Sequence, residues 1–565
     1  MIKFSTTTQI ILVSIYLFCF LAYPAFSQSA QGNLELKIID SSTGEITSSR
    51  IDILGSDEKY HIAEDALFMG GDCDMSDEGA GIVDLKTTLA TFSQKIENPY
   101  TKTTQFYSSG FSKVTLPPGK TIVRVFKGPE YKMGFLEVDI LEGTTTKLKI
   151  ELKRWVNMPG KGWYSSDDHL HIPRPVKELD PIILEVMQAE GINVGNLLQM
   201  GKVLNFNIAS QHSHGKESYY QEKDYIIAAG QENPRTHFLG HSITLGATDT
   251  INFPKEYLIY RLIYEEAIKQ NGINGYAHFG QIFESGEYGL PIVLPHGLLH
   301  FMEVLQFGRG KFDSWYDILN LGFRVSPTAG TDYPCAKTVP GHERFYTKVE
   351  GKFTYENWID GVRKGRTFVT TGPLLDFKIN GKGLGEEINL ANADSVLIEI
   401  DVIYDPGDGS VNKIELVENG NIVRQFPLME QKGEINIKFK HAIKENSWIA
   451  LRGSGSLDKE QMDVEPWNFG LLKWSNIFHS APIYVKIDNA SPFTRHPRTK
   501  AVARKWLAKL EEAEAFLSNE NIDIVAGWQQ DPSWDAVPKE TFLNNRDALL
   551  AEIKDAKKFF LNLSH

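Results

Sequence analysis

Cysteine is scarce in this chain, with three residues among 565. Cys19 falls in the N-terminal apolar segment, which leaves Cys73 and Cys335 for the rest of the chain. Two cysteines exclude a disulfide-rich scaffold and a metal site made of thiolates. Both a Cys73–Cys335 disulfide and two unpaired thiols are compatible with the sequence, and the unpaired thiols are the expectation.

Long apolar runs are also few. The first 27 residues contain the positive Lys3, an apolar stretch over residues 10–21 and the small-x-small sequence Ala25-Phe26-Ser27. This order is typical of a cleaved secretory signal peptide. No later segment is apolar and long enough to span a bilayer. We therefore expect an exported chain, periplasmic or secreted, that has no stable membrane insertion.

Positive charge is in the minority. Lys and Arg number 59 against 72 Asp and Glu, and the formal net charge is −13. This balance argues against binding to nucleic acid or to anionic lipid. A small molecule is the expected partner, and the sequence leaves the oligomeric state open.

Histidine, in contrast, is concentrated in one part of the chain. Ten of the fifteen histidines lie between His169 and His342. Imidazole and carboxylate are the ligands that hold zinc, manganese or iron. In a chain with so few thiols a metal site has to be built from them, so the distribution predicts a metal enzyme.

The patterning of the chain changes along its length. Residues 34–38 alternate apolar and polar side chains, as a half-buried strand does. Residues 160–375 alternate strand-like and helix-like segments, which predicts a parallel sheet or barrel. We predict a signal peptide at 1–27, an N-terminal β-sandwich at 28–157, a βα domain at 158–375, a second β-sandwich at 376–490 and a helical hairpin at 491–565. The acidic run 72–78 lacks the spacing of a calcium loop, and a solvated loop is expected there.

Helix-capping signals and apolar stripes locate the helices. In the central region they predict Pro181–Glu190, Glu256–Gln270, Ser314–Leu321 with Asp313 as its cap, and a helix to Lys364 with Thr354 as its cap. Two further stripes predict the C-terminal hairpin, one with Trp506, Leu507, Leu510, Ala513 and Leu517 and the other with Leu549, Leu550, Ile553, Phe559 and Phe560.

The candidate metal ligands share one position, near the end of a strand-like segment. His169 and His171 follow Trp163–Ser166, Glu232 follows Tyr225–Ala229, His241 comes nine residues after Glu232, His278 follows Ile273–Ala277 and Asp332 follows Phe323–Ala329. In βα barrels the catalytic groups gather at the carboxyl ends of the strands. Residues distant in the sequence are therefore expected to meet on one rim.

These motifs resemble the polymerase-and-histidinol-phosphatase (PHP) superfamily, and within it the exported CehA/McbA-type metallohydrolases. The resemblance is carried by Gly162–His171, Gly230–Glu232, Gly240–His241, Gly275–His278 and Ala329–Asp332, with flanking support from Gly128–Tyr131, Arg154–Trp155, Lys364–Pro373 and Ser480–Val485. It covers roughly residues 110 to 490. The fold that it implies is a distorted seven-stranded βα barrel.

Position by position, the resemblance implies two metal sites. One metal is held by His169, His171, Glu232 and Asp332, and a second is held by Glu232, His241 and His278, so that the Glu232 carboxylate bridges them. Two cations ~3.5–4 Å apart can share a hydroxide whose pKa is drawn down toward ~7. The ions are divalent or of mixed valence, and zinc, manganese and iron all suit these ligands. Asp167 is expected to orient a histidine rather than to bind metal.

The chain departs from the three-metal members of the superfamily at three places. Where those members carry the remaining histidines, this chain has Lys177, Leu198–Met200 and Pro334. All ligands of one site are missing together, which predicts a binuclear centre.

The expected function is an exported binuclear hydrolase in which a metal-bridging hydroxide attacks an ester, carbamate or amide bond. Glu232 and Asp332 would hold the reacting centre, and His212 and His214 are candidates for the acid that protonates the leaving group. Those two histidines also suit a merely solvated loop. A phosphoesterase is the alternative, although Lys177, Lys216 and Arg235 are the only obvious cations for a phosphate. A non-catalytic secreted binding protein is the alternative from another class.

The remaining histidines and two charged residues are assigned less specifically. Core or surface positions are expected for His61, His441, His479, His496 and His565, whereas His237, His296, His300 and His342 are left open because they share the domain with the site. Arg235 follows Glu232 closely and could pair with an anionic substrate, but a surface position is favoured. Glu303 has two open interpretations, a role in the site or a partner for a buried neighbour.

Overall fold

The structure is a computed structural model. It describes residues 31–69, 84–98, 102–202, 205–236, 238–278, 288–335, 339–407, 409–428, 432–455, 476–487, 497–518 and 537–565. The predicted leader, Cys73, the acidic run 72–78, His237 and His496 lie outside these ranges. No helix within them combines the length and the apolar character needed to cross a membrane.

The N-terminal region consists of two sheets around one apolar core. Its elements are β1 Gly32–Asp40, β2 Ser49–Leu54, α1 Leu85–Thr91, β3 Ile96–Asn98, β4 Thr103–Ser108, β5 Phe111–Leu116, β6 Gly119–Phe126, β7 Gly134–Ile140 and β8 Thr145–Leu152. The sheet orders are β5-β1-β8 and β3-β4-β2-β6-β7. The alternating Leu34, Leu36 and Ile38 are buried and belong to the shared core, because side chains two apart in a strand point to the same face.

The central region alternates strands and helices. Its elements are β9 Trp163–Leu170, α2 Asp180–Ala189, β10 Val194–Lys202, β11 Asn205–Ile208, β12 Tyr220–Glu222, β13 Tyr225–Thr236, β14 Gly240–Leu245, α3 Tyr260–Lys269, β15 Ile273–Tyr276, α4 Gly289–Val293, β16 Phe301–Gln306, β17 Arg309–Gly310, α5 Asp313–Asn320, β18 Ser326–Ala329, β19 Arg344–Lys348, α6 Tyr355–Arg363 and β20 Thr367–Thr370.

Strand direction in this region is mixed. β9, β10 and β13 run parallel, as do β15, β16 and β18, but β14 is antiparallel to both β13 and β15. Only residues 237–239 separate β13 from β14, and a connection that short joins antiparallel strands. Helix–strand alternation therefore predicted the parallel pairs and missed this hairpin. The seven-stranded barrel itself stays a prediction.

The structure has each predicted helix of the central region, with errors at two helix starts. The helix predicted from Glu256 begins at Tyr260. The side chain of Thr354 caps α6 by accepting the backbone N–H of Asn357 at 3.2 Å. Asp313, in contrast, is not a cap: Phe312 precedes the helix and Asp313 occupies the first helical position. An acidic residue stabilises either position through the helix dipole, so the sequence alone does not separate them.

The C-terminal region adds more sheet and the helical hairpin. Its elements are β21 Leu374–Ile379, β22 Glu387–Leu390, β23 Ser395–Ile403, β24 Lys413–Glu418, β25 Asn421–Pro427, β26 Glu434–Ala442, β27 Ser447–Ser454, β28 Phe478–Ser480, β29 Ile483–Ile487, α7 Pro497–Leu517 and α8 Lys539–Ser564. The sheet β21-β23-β26 shares an apolar core with β24, β27 and β29. The chain is therefore a multidomain protein built mostly of sheet.

Two features tie the C-terminal region to the centre. β28 pairs antiparallel with β20, so that one ladder runs from the central sheet into the C-terminal one. The apolar stripes of α7 and α8 belong to the core of the central region. At the edge of that contact Arg261 forms an ion pair with Glu552 at 2.9 Å. The hairpin thus packs on the domain before it.

Cys335 is disulfide-bonded. The expectation of two unpaired thiols was therefore wrong, because spacing along a chain carries no information about which cysteines meet in space. A disulfide suits an oxidising compartment.

Candidate metal centre

The strands of the central region bring six predicted ligands to one place. His169 lies near the end of β9 and His171 follows that strand, while Glu232 and His241 lie within β13 and β14. His278 and Asp332 follow β15 and β18 after short turns. His169, His171 and Asp332 form one group whose ligand atoms all lie within 4.8 Å of one another, and Glu232, His241 and His278 form a second.

In the first group two imidazoles and two carboxylates converge. His171 Nε2 lies 3.2 Å from Asp332 Oδ1 and 3.3 Å from Glu232 Oε2. His169 Nε2 lies 3.5 Å from the same Asp332 oxygen and 3.0 Å from His171 Nε2. Four electron-pair donors therefore surround a space that has room for one cation.

The opposite ring nitrogens fix which atoms face this space. His169 Nδ1 lies 3.0 Å from a carboxylate oxygen of Glu303, and His171 Nδ1 lies 3.1 Å from the carbonyl oxygen of Leu198. Both partners only accept hydrogen bonds, and the Glu303 oxygen lies closer to His169 Nδ1 than the Gln306 amide nitrogen does at 3.4 Å, so each Nδ1 is assigned the proton and donates it. In the neutral rings both Nε2 atoms then present lone pairs to the same space, as metal ligands do.

The second group uses the other oxygen of the shared carboxylate. Glu232 Oε1 lies 2.7 Å from His241 Nδ1 and 3.6 Å from His278 Nε2. The rings of His241 and His278 meet edge to face with their centroids 4.6 Å apart. Glu232 thus directs one oxygen to each group.

Two of the six residues have unusual backbone conformations. His278 has φ 28° and Asp332 has φ 55°, both in the left-handed region that residues with a side chain seldom adopt. Such conformations persist only where surrounding contacts hold them, and they are concentrated at functional sites.

The electrostatics of the first group favour positive charge. Burial lowers the pKa of His169, but the carboxylates of Glu303, Asp332 and Glu232 outweigh it and hold that pKa well above its usual value. Burial raises the pKa of Glu232, but Arg235, His241 and His169 outweigh it and hold that pKa well below its usual value. The same pattern raises the pKa of His171 against burial and lowers that of Asp332 against burial.

Asp167 lies beneath the ligands and binds backbone. Its Oδ1 accepts the N–H of His169 at 3.0 Å and that of Thr331 at 3.2 Å, and its Oδ2 accepts the Thr331 hydroxyl at 2.6 Å and the Gly341 N–H at 2.8 Å. Both oxygens are therefore engaged. Asp167 joins the strand that carries His169 to the turn that carries Asp332, and it belongs to neither ligand group.

Two side chains that the sequence left open or misplaced contact the ligands. Arg235 is buried, with 6% of its side chain exposed, and its Nε lies 3.4 Å from Glu232 Oε2. The surface position favoured for Arg235 was therefore wrong, because a shift in the β13–β14 register places it directly opposite His241. Glu303 is fully buried and contacts His169. The sequence signal for the role of Glu303 was the presence of a charged residue inside the apolar run 301–305.

The two candidate acids lie on a neighbouring loop. His212 Nε2 lies 3.1 Å from Asp180 Oδ1, and the Ser213 hydroxyl lies 2.6 Å from His212 Nδ1. His214 Nε2 lies 3.4 Å from Gln199 Oε1, and burial lowers the pKa of His214 to about 4. A pKa that low keeps the His214 ring neutral at pH 7, which does not suit an acid that protonates a leaving group. A catalytic role for either histidine stays a prediction.

The positions that lack third-site ligands are filled differently. Lys177 is exposed, whereas Met200 is buried with its sulfur 2.7 Å from Arg235 Nη1. A thioether and a guanidinium therefore lie beside the six ligands at this point.

Six described histidines outside the two groups contact other residues of the fold. His479 is held between Tyr316 and the Ser480 carbonyl, His300 accepts the Asn274 N–H at 3.2 Å, His296 pairs with Glu552, and His441 pairs with Glu418. His61 pairs with Asp57 at 3.0 Å. His342 is buried beside Arg344 and Arg50, and burial together with these charges lowers its pKa to about 3.

No protein-family model matches the chain, and no curated protein matches it. Among solved structures, it is similar at 14% identity to a two-domain protein from Bacteroides vulgatus described as containing a predicted PHP-like metal-dependent phosphoesterase, over 57% of this chain and 95% of that chain with a TM-score of 0.31. The minor pilin GBS52 of Streptococcus agalactiae matches at 15% identity over 23% of this chain and 46% of that chain, with a TM-score of 0.15. The CARDB domain of the Pyrococcus furiosus PF1109 protein, in complex with di-metal ions, matches at 16% identity over 20% of this chain and 94% of that chain, with a TM-score of 0.12. At these TM-scores the account of the site depends on its own geometry.

Proposed function

We propose that this protein is a metal-dependent hydrolase with two cations at the rim of its central sheet. One observation carries the proposal: the Glu232 carboxylate directs one oxygen to His169 and His171, which form a group with Asp332, and the other oxygen to His241 and His278. A shared carboxylate of this kind is how proteins hold two cations a few ångströms apart. The first predicted ligand set and the second both fit this arrangement.

The donor chemistry fits metal ions. Glu232 Oε2 is buried and lies 3.3 Å from His171 Nε2 without the alignment of a hydrogen bond. The raised pKa values of His169 and His171 mean that the carboxylates attract a proton to this space. A divalent cation would displace that proton and satisfy the converging lone pairs together. Mixed imidazole and carboxylate ligands suit zinc, manganese or iron.

The residues of the chain determine what such a centre does. Bound there, two divalent cations would supply Lewis-acid activation of water and of the scissile bond. Glu232 and Asp332 hold the negative charge that fixes the centre in place, and Asp167 fixes the backbone beneath it.

The class of substrate has two candidates. The sequence resemblance to CehA/McbA-type enzymes favours an ester, carbamate or amide. A phosphoester is favoured by a specific observation, the buried guanidinium of Arg235 at 3.4 Å from Glu232 Oε2. Its positive charge beside the two proposed cations would suit an anionic substrate.

Export of the protein is a separate proposal that depends on its N-terminal segment. Residues 1–27 have the order of a signal peptide, and a disulfide at Cys335 agrees with an oxidising compartment. N-terminal sequencing of protein recovered from the periplasm or the medium should begin close to residue 28. An intact Met1 in the recovered protein would contradict it.

Elemental analysis together with a substrate panel tests the function. Purified protein is expected to hold about two equivalents of zinc, manganese or iron per chain, and removal of the metal with a chelator should abolish turnover reversibly. The panel contains phosphomonoesters, phosphodiesters, aryl esters, carbamates and amides. Protein that binds no metal and turns over no member of the panel would favour the non-catalytic binding protein instead.

A further inference from the structure

Glu303 is a buried carboxylate that contacts one member of each ligand group. Its Oε1 lies 3.0 Å from His169 Nδ1, and its Oε2 accepts the backbone N–H of His278 at 2.8 Å. We propose that Glu303 is a positioning residue that couples the two cation sites, a role that presupposes the metal centre proposed above. It reaches both sites without itself being a ligand of either group.

Strand register explains how one side chain reaches both groups. β16 lies between β15 and β18, with Met302 opposite Tyr276 and Glu303 opposite Thr328. Glu303 is therefore one residue further along than the last paired residue of β15, level with the turn that leads to His278. β18 leads on the other side to Gly330 and Asp332. The carboxylate is thus held at the centre of the strands that deliver the ligands.

Close approach at this point requires a glycine. A Cβ atom at Gly330 would lie 2.5 Å from His169 Cβ and 2.8 Å from Glu303 Oε1. Contacts that short do not occur between real side chains, so the backbone of β18 can pass the His169–Glu303 pair only at a residue without a Cβ. The sequence Ala329-Gly330 meets this requirement.

The chemistry of the two contacts requires a carboxylate. The His278 backbone can only donate, and His169 must donate from Nδ1 if its Nε2 is to present a lone pair to the cation. An ionised carboxylate accepts both hydrogen bonds. An amide of the same shape has one acceptor oxygen, so it would oppose its NH₂ either to the His278 N–H or to His169 Nδ1. An NH₂ group that faces the His278 N–H would disturb the site of His241 and His278. An NH₂ group that faces His169 Nδ1 would shift the ring proton of His169 to Nε2, the nitrogen proposed to bind the other cation.

Glu343 offers a matched control. It is also a fully buried glutamate, and its Oε1 accepts the Gly308 N–H at 2.6 Å. Its other oxygen has no hydrogen-bond partner among the residues that the structure describes. An amide therefore meets the demands at Glu343 and fails to meet those at Glu303. The two positions share the same substitution and the same burial.

The experiment compares Glu303→Gln with Glu343→Gln. Each purified variant is dialysed metal-free, titrated with Zn²⁺ or Mn²⁺ in a competing chelator, and analysed for bound metal per chain. Glu303→Gln is expected to bind both equivalents about 10- to 100-fold more weakly than wild type, the usual effect of removing a carboxylate behind a metal-bound histidine. Glu343→Gln is expected to bind as wild type does. Far-ultraviolet circular dichroism of the metal-free proteins checks that all three are folded.

A second variant separates acceptor chemistry from packing. Glu303→Asp retains two acceptor oxygens on a shorter side chain, so it should bind metal more tightly than Glu303→Gln. Equal losses in the two variants, or wild-type affinity in Glu303→Gln, would overturn the role of Glu303 and leave the two-cation centre standing. A wild-type protein that binds no metal would overturn the centre and this inference together.

Discussion

Two buried histidine sites in this molecule differ in the hydrogen-bond partners of their ring nitrogens. In the C-terminal region His479 has a complementary partner on each side: its Nδ1 lies 2.8 Å from the Ser480 carbonyl oxygen and its Nε2 lies 2.6 Å from the Tyr316 hydroxyl. At the central rim the Nε2 atoms of His169 and His171 face each other and two carboxylates. The nitrogens of the first site are satisfied by the fold, and those of the second would be satisfied by the proposed cation.

The comparison shows that burial alone does not identify a ligand. His479 and His169 are both fully buried, and burial acts to lower the pKa of each. For His479 nothing outweighs it and the pKa falls to about 3, whereas the carboxylates around His169 reverse the shift. The sign of the shift reports whether the surroundings attract positive charge.

The largest effect is expected for Glu232→Gln, which removes the charge shared by the two ligand groups. Bound metal and activity should fall to background together, because each site loses an anionic ligand in one substitution. The measurement is metal content by mass spectrometry alongside turnover of the best substrate in the panel. A variant that retains two metals would separate Glu232 from the centre.

The next largest effects are expected from substituting one histidine at each site, His169 at the metal centre and His479 in the C-terminal region. His169→Gln should lose metal from the centre with little change in the stability of the metal-free chain. His479→Gln should keep metal but unfold about 2–4 kcal/mol more easily, since it leaves a hole and an unmatched hydroxyl in an aromatic core. Chemical denaturation gives the free energy of unfolding of each variant, and elemental analysis gives its metal content. Similar losses of metal in the two would remove the distinction.

Arg235→Gln tests the class of substrate. If an anionic substrate binds next to Glu232, turnover of the phosphoester should fall by about 100-fold, the usual cost of losing one group that stabilises developing charge. Metal content should stay near two equivalents. Carbamate and aryl-ester turnover should change less, and an equal loss for all substrates would mean that Arg235 acts through the metal ligands.

A smaller effect is expected on the way in which stability changes with pH. Burial lowers the pKa of His479 to about 3 from an ordinary value of 6.5, so below pH 6.5 the unfolded chain binds a proton there that the folded chain does not. Stability from this group is therefore present above pH 6.5 and is lost as the pH falls toward 3. The stability deficit of His479→Gln should narrow by about 1 kcal/mol between pH 7.5 and pH 5.5. A constant deficit across that range would show that His479 is not held neutral.

The smallest effect on metal is expected for Met200→Ala. Met200 occupies one of the positions at which the sequence resemblance predicts a missing third-site ligand, and its sulfur contacts Arg235. Metal content should stay unchanged even if stability falls. Loss of metal comparable to that of Glu232→Gln would contradict a two-cation centre.

The sequence predicted the ligands better than their surroundings. His169, His171, His278 and Asp332 lie at or just after the end of a strand, where the local pattern placed them, whereas Glu232 lies inside β13 and His241 lies at the start of β14. The burial of Arg235 depends on a shift in the register between β13 and β14, and the role of Glu303 depends on the order of β15, β16 and β18. Register and strand order are long-range properties, and periodicity within one segment does not encode them.

The limits of fold prediction have the same origin. Strand–helix alternation indicated the central sheet, but the antiparallel β14 arises from a connection of three residues whose importance appears only once strands are paired. The ladder between β20 and β28 joins residues more than 100 apart in the chain. Neither pairing can be predicted from the local pattern of apolar and polar residues.

The most direct test of the account is a crystal structure of the metal-loaded protein with anomalous scattering data. Two peaks are expected, one among His169, His171 and Asp332 and the other beside His241 and His278, each within coordination distance of a different Glu232 oxygen. A single peak that Glu232 does not touch, or no peak in protein that is catalytically active, would contradict the central claim.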